Sequence, residues 1–174
     1  MLKHIMKLTV LTLGLSYGWS LQAASSSLDR WTYGLGGEVK QLVLDEGVRR
    51  CPYKDSEGYW TIGIGHRVKS NIGCITEARA RVLFLEDITK HTTYVTKDYP
   101  WATAEVKLVL INMSFQLGRT GLSKFTNTLS SLEAAEYVKA SEAMLDSLWY
   151  KQTPQRALRL SNRIKALSTA LSTT

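Results

Sequence analysis

Apolar positions along the chain change period several times, and each change marks an element. In "EVKQLVLDEG", Val39, Leu42, Val43 and Glu46 fall at i, i+3, i+4 and i+7. That spacing predicts one face of a helix, with Gly47 able to take the left-handed conformation that stops it. A carboxylate, Glu46, therefore sits on the apolar face in the last turn. From Pro52 to His66 the pattern shortens, and strand-like runs flank the turn composition "DSEG", which predicts a hairpin. Along its second strand Tyr59, Thr61 and Gly63 are expected to point one way and Trp60, Ile62 and Ile64 the other. After Thr76, "EARARVLFLEDITKHTTYV" returns to helical spacing until Pro100 breaks it. An apolar helix, "TAEVKLVLINMSFQLG", follows and is expected to end at Gly118. Several short helices come next, and "TPQRALRL" opens the last major one through Thr153 and a proline in its first turn. No internal repeat is present. The predicted class is α+β with two lobes. A small hairpin-bearing lobe covers about residues 47–90, a helical lobe covers about residues 91–174 and carries helix 38–46, and a long helix joins them.

The first residues follow a different pattern. "MLKHIMK" is basic, "LTVLTLGL" is apolar, and "SYGWSLQA" is a more polar close with Ala23 as a cleavage point. That order is what a secretory signal peptide requires. The apolar run is far below the roughly 20 residues that span a bilayer. Gly14, Ser16, Gly18 and Ser20 weaken the segment without ending it, so a retained or slowly released membrane anchor is one alternative and a buried first helix another. Residues 1–23 are read as this signal segment, residues 24–37 as a Ser- and Gly-rich linker, and residues 38–174 as the functional domain. Export, to the periplasm or beyond, is the expected destination. Cys51 and Cys74 would then meet an oxidising setting, where they either pair or serve as small buried apolar residues.

Composition narrows the partners. Apolar content of 44% with three prolines describes a globular chain. The net charge is +7, of which Lys3 and Lys7 supply two in the signal segment, leaving +5. A basic surface suits an anionic polymer, either nucleic acid or cell wall. The chain offers neither a basic recognition helix nor an aromatic–basic stacking surface, so nucleic acid is not expected. The two cysteines and His4, His66 and His91 show no ligand spacing, and no metal or other cofactor is expected.

The candidate chemistry lies in the carboxylates. Burial and the negative end of a helix dipole both disfavour an ionised Glu46, which is the condition of a general acid. Asp55, at a polar turn, is expected to stay ionised. Two acids in such contrasting settings are what glycoside hydrolysis uses, and Thr61 on the facing strand could hold a water. On spacing alone, Glu46 as a boundary residue with a basic partner and Asp55 as an ordinary turn residue remain open.

Three separated segments add to this reading. "DEGVRRCPYKDSEGYWTIGIGH", "LINMSFQLGRTGLSKFTNTL" and "LWYKQTPQRA" resemble, in the same order, segments of the phage-type lysozymes, glycoside hydrolase family 24, over residues 38–167. The resemblance implies that Glu46 is the general acid, Asp55 the acid that positions or activates water, and Thr61 the hydroxyl beside that water. It implies hydrolysis of the β-1,4 bond after N-acetylmuramic acid in peptidoglycan, with inversion and without a metal. Inversion asks for carboxyls roughly 6.5–9.5 Å apart. Gln116 matches a cleft residue that touches sugar, with a structural amide between lobes as the alternative. Arg156 matches a basic residue beside the catalytic acid, with a surface arginine as the alternative. His66 matches a histidine paired to an aspartate, here Asp87, in a supporting role. Trp149 and Phe115 are expected in the core, one of them bordering the cleft. The partner implied is the peptidoglycan glycan strand, met by a monomer. A non-catalytic wall-binding protein on the same scaffold is the alternative, and the intact trio argues against it. The chain also departs from the T-even bacteriophage enzyme. Its segment from His66 to Ile75 is shorter, and Leu148 replaces an arginine that meets the residue matching Glu57. Glu57 thereby loses a partner, and the lobes are expected to open more easily. Beyond Leu167 the resemblance ends.

Overall fold

The computed structural model describes residues 37–55 and 58–171. The signal-segment reading and nearly all of the linker reading fall outside these residues, as does Glu57. The first described element is helix α1, Gly37–Glu46, which buries Leu42 and Val43. It stops where the sequence indicates. Gly47 takes a φ of 67° and its N–H bonds to the Val43 carbonyl at 3.0 Å, satisfying a carbonyl the helix leaves open.

Three antiparallel strands follow in the order β1 (Arg49–Lys54), β2 (Trp60–Gly63) and β3 (His66–Arg67). Pro52 has no N–H to give a ladder, and it lies on an edge strand where that loss is tolerated. Ile62 and Ile64 are buried as the alternation predicts. Gly63 departs from it. At a φ of 66° the backbone turns, and a Cβ at this position would stand 3.4 Å from the Cβ of Ala80. Gly63 thus faces a helix rather than sharing the side of Thr61.

That helix is α2, Glu77–Asp98, capped by Thr76, whose hydroxyl accepts the Arg79 N–H at 3.2 Å. Its first half buries Ala80, Leu83 and Phe84 beneath the sheet, while Val95 near its end joins the helical core. At 22 residues it extends about 33 Å, long enough to serve both regions. Helix α3, Ala104–Ser123, starts at an equivalent cap, Thr103, and buries Val106, Val109, Leu110 and Met113. It was expected to end at Gly118. Instead Gly118 interrupts it, with φ 71° and ψ 167°, and helical residues resume to Ser123. Helices α4 (Thr126–Glu133), α5 (Tyr137–Leu145), α6 (Leu148–Gln152) and α7 (Pro154–Leu171) complete the fold. On α7, Ala157, Leu160 and Ile164 recur at helical spacing and are fully buried against α3 and α5. Thr153 was expected to cap α7; its hydroxyl donates to the Trp149 carbonyl at 3.1 Å and so closes α6. The architecture is α+β, a small sheet beside a larger set of helices. Among the described residues no helix is long and apolar enough to cross a membrane.

Candidate active site

Glu46 ends α1 on the face of Leu42 and Val43, as its spacing dictates, but its surroundings are not simply apolar. Arg156, from the first turn of α7, places Nη1 2.7 Å from Glu46 Oε1. The helix end abuts α7, and α7 presents there the arginine that the resemblance places beside the acid. Arg156 is itself buried, and Asn112 of α3 receives its other N–H groups, Nε at the side-chain oxygen (2.8 Å) and Nη2 at the main-chain oxygen (3.1 Å). A buried guanidinium would be costly without this complete set of acceptors. Asp45, the preceding residue, turns to Arg159 at 2.6 Å and receives Gln41 at 3.2 Å. Consecutive acids are thus clamped by arginines three residues apart.

Gly65 closes the other side of Glu46. A Cβ added there would stand 3.1 Å from Glu46 Oε2 and 3.5 Å from the Phe115 ring, and φ is 71°. Both facts require glycine. Phe115, half-buried, thus stands on the same side of Gly65 as Glu46 and packs edge-on against Phe84. Trp149 is the buried one, and its indole N–H donates to Gln116 Oε1 at 2.8 Å. The structure gives Gln116 a structural bond in this way. Leu148, beside Trp149, is 68% exposed.

Asp55 closes β1 and is held by its own turn. Its N–H bonds to the Tyr59 carbonyl, the Gly58 N–H to its carbonyl, and the Tyr59 N–H to Oδ1, each at 2.9 Å. Gly58, at a φ of 83°, allows the chain to return this tightly. The second oxygen, Oδ2, lies 3.4 Å from the Thr61 hydroxyl and 3.4 Å from Arg67 Nη2. Thr61 is 3% exposed, and its hydroxyl is also 3.4 Å from the Tyr59 carbonyl. Both contacts are longer than the 2.5–3.0 Å of a well-formed O–H···O bond, so neither fixes the hydroxyl strongly.

The two acids share one neighbourhood. Burial pushes the Tyr53 phenol above its ordinary range, Arg49 stacked on its ring opposes that, and the charges of Glu46 and Asp55 add to it. His66 lies behind the sheet with Nδ1 2.7 Å from Asp87 Oδ2, a contact between β3 and α2 away from Asp55. Cys51 and Cys74 are joined, and Ile75 pairs with Arg50 through its N–H at 2.8 Å, fastening the ends of the segment that carries Asp55 and Thr61. Among the described residues no three His, Cys, Asp or Glu side chains gather as a metal site.

The structure thus brings Glu46 to Arg156 and Asp55 to Thr61, and pairs His66 with Asp87 and Gln116 with Trp149. Sequence reasoning missed Asp45, Asn112, Arg159 and Arg67. The doublet "DE" at the end of α1 and the spacing "RALR" on α7 were the available signals for two of them.

A family model described as phage lysozyme matches residues 44–166. The pre-baseplate central spike protein Gp5 of Enterobacteria phage T4 is 34% identical over 152 residues, which is 71% of this chain and 26% of that protein. A probable T4-type lysozyme of Dictyostelium discoideum is 30% identical over 154 residues, covering 71% of this chain and 91% of the relative. The peptidoglycan hydrolase gp36 of Pseudomonas phage phiKMV is 30% identical over 125 residues, covering 68% of this chain and 14% of that protein. The chain therefore spans only a minor part of the two phage relatives and most of the Dictyostelium one.

Proposed function

We propose that this chain, which belongs to the phage lysozyme family and is by that membership a peptidoglycan hydrolase, cleaves the β-1,4 bond between N-acetylmuramic acid and N-acetylglucosamine with inversion. The observation that carries this reading is the presence of two acids, held by different means, that both act on Tyr53. Glu46 stands against Arg156, and Asp55 stands beside the Thr61 hydroxyl. Glu46 gives its proton to the leaving oxygen, and the Arg156 guanidinium remains to neutralise the carboxylate left behind. Asp55 takes a proton from a water that Thr61 orients, and that water attacks the opposite face of the sugar. Tyr53, whose phenol burial pushes still further above its ordinary range, is an uncharged neighbour for both acids.

The test is clearing of a peptidoglycan suspension, with reducing ends counted and the new end identified by mass spectrometry. Glu46→Gln should lower the rate by roughly two to four orders of magnitude while circular dichroism and the unfolding midpoint stay near those of the parent. Clearing at the parental rate would sink the role of Glu46. Sedimentation with wall material and no reducing ends from the parent chain would instead favour a wall-binding protein. The anomer first formed, read by NMR, decides inversion.

A further inference from the structure

Arg67 is not one of the trio, yet the sheet carries its guanidinium to Asp55, opposite Thr61. In the β2–β3 pair Arg67 stands opposite Thr61, and residues directly opposite one another share a face of the sheet. Its Nη2 is 3.4 Å from Asp55 Oδ2, the same oxygen that the Thr61 hydroxyl approaches. The other oxygen, Oδ1, is already taken by the Tyr59 N–H. The guanidinium also stacks on the Tyr59 ring, with Cζ 4.2 Å from the centroid. Tyr59 is the residue whose N–H and carbonyl bracket Asp55. Arg67 therefore touches both the carboxylate and the residue that holds it.

We propose that Arg67 is a positioning residue for Asp55, one that fixes Oδ2 beside Thr61 and keeps the carboxylate in the ionised form that accepts a proton from water. This rests on the hydrolytic reading above. The pair is open to solvent, with Arg67 55% and Asp55 21% exposed, so it adds little to the stability of the fold. A cation a few ångströms from an acid still biases its ionisation. The effect belongs in the pH profile rather than in the unfolding curve. A lysine would keep the charge but lose the planar fork and the stack on Tyr59.

The charged and titrating groups about Asp55 allow the effect to be isolated. From β1 they are Tyr53, with Arg49 stacked on it at 4.4 Å, and Lys54, which lies over Trp60. From α1 there is Glu46, which acts with Asp55 on Tyr53. From β3, beside Arg67 itself, there is His66, engaged by Asp87 of α2. All of these are common to every variant at position 67. Activity on the acid side requires Asp55 ionised, and activity on the basic side requires Glu46 protonated, so the two limbs of the profile report different walls.

The experiment measures kcat/KM for release of reducing ends from peptidoglycan across acid and neutral pH, at low and high salt. It compares the parent, Arg67→Met and Arg67→Lys, with unfolding midpoints alongside. In Arg67→Met the acid limb should rise by about half a unit to one unit at low salt, with the basic limb unmoved and the unfolding midpoint nearly so. Added salt should shrink the difference, since the guanidinium is exposed. Arg67→Lys should fall between the two. An acid limb unchanged in Arg67→Met, or both limbs displaced together with a lowered midpoint, would overturn the assignment. A parent chain that releases no reducing ends would overturn the hydrolytic reading itself and the role of Arg67 with it, an outcome distinguishable because it silences the parent too.

Discussion

On the helical wall Glu46 is held by Arg156, 110 residues away in the chain, whereas on the sheet wall Asp55 is held by its own hairpin. The helical anchor, Arg156, is buried, and its guanidinium bonds to Glu46 and to both oxygens of Asn112. The sheet anchor is a local turn, a long contact to Thr61 and a solvent-exposed arginine, fastened below by a disulfide. In the roles proposed for them, the proton donor stands against a buried arginine and the acid that works with water stands on a more open turn. The difference teaches that one wall derives its order from tertiary burial and the other from local geometry and covalent closure.

The largest break in this comparison should come from the helical side. Arg156→Met leaves Glu46 and the Asn112 oxygens without their donor, and a buried ion pair broken on one side costs about 3–5 kcal/mol. A denaturant titration should record that loss, and clearing should fall with it. A stability within about 0.5 kcal/mol of the parent would mean the network is not what holds α1 to α7. The next effect belongs to the sheet side. Replacing Cys51 and Cys74 by serine frees a loop with a sequence separation of 23. Cross-links closing loops of this order contribute about 3 kcal/mol, chiefly by restricting the unfolded chain. The prediction is sharpened by location: in hydrogen exchange, β1 to β3 should lose protection before the core helices do. Equal loss in both would erase the distinction between the walls.

The smallest effect tests the ground between them. His91 of α2 places Nδ1 2.8 Å from Ser114 Oγ of α3 and packs against Phe115. Burial holds its imidazole below the ordinary histidine range, Asp87 opposes this, and Lys90 reinforces it. The unfolded chain therefore binds the proton first as pH falls, and stability is lost from the ordinary histidine value of 6.5 downward. The slope from one such group stays below about 1.4 kcal/mol per pH unit. His91→Gln should flatten the dependence in that window; an unchanged slope in thermal melts against pH would remove His91 as its source.

How far the sequence speaks follows the same division. Local features are legible: the stop at Gly47, the cap at Thr76, the hairpin around Asp55, and the burial of Ile62 and Ile64 all follow from short-range stereochemistry. Gly118 was legible as a break but not as an interruption, because whether helical residues resume depends on what packs beyond it. Thr153 has the composition of a cap, yet its hydroxyl serves the helix behind it, a choice local preference does not decide. The Asp45–Arg159 and Arg156–Asn112 contacts join residues 114 and 44 positions apart, and nothing in one sequence selects those partners. Arg67 was hidden differently. Its neighbour His66 drew attention, and only strand register places the next residue opposite Thr61.

The clamp of Asp45 and Glu46 by Arg159 and Arg156 has a consequence for how this chain can change over generations. Two neighbouring acids read two arginines set not quite one helical turn apart, so the contact works as a phase gauge. Side-chain drift at surrounding positions leaves the gauge intact. A single residue inserted between Arg156 and Arg159 would swing the second arginine about 100° around the axis, taking from Asp45 its 2.6 Å partner while Glu46 kept its own. Length in that short stretch of α7 is therefore under tighter constraint than composition, and lineages of this domain should vary in what fills it far more readily than in how many residues it holds.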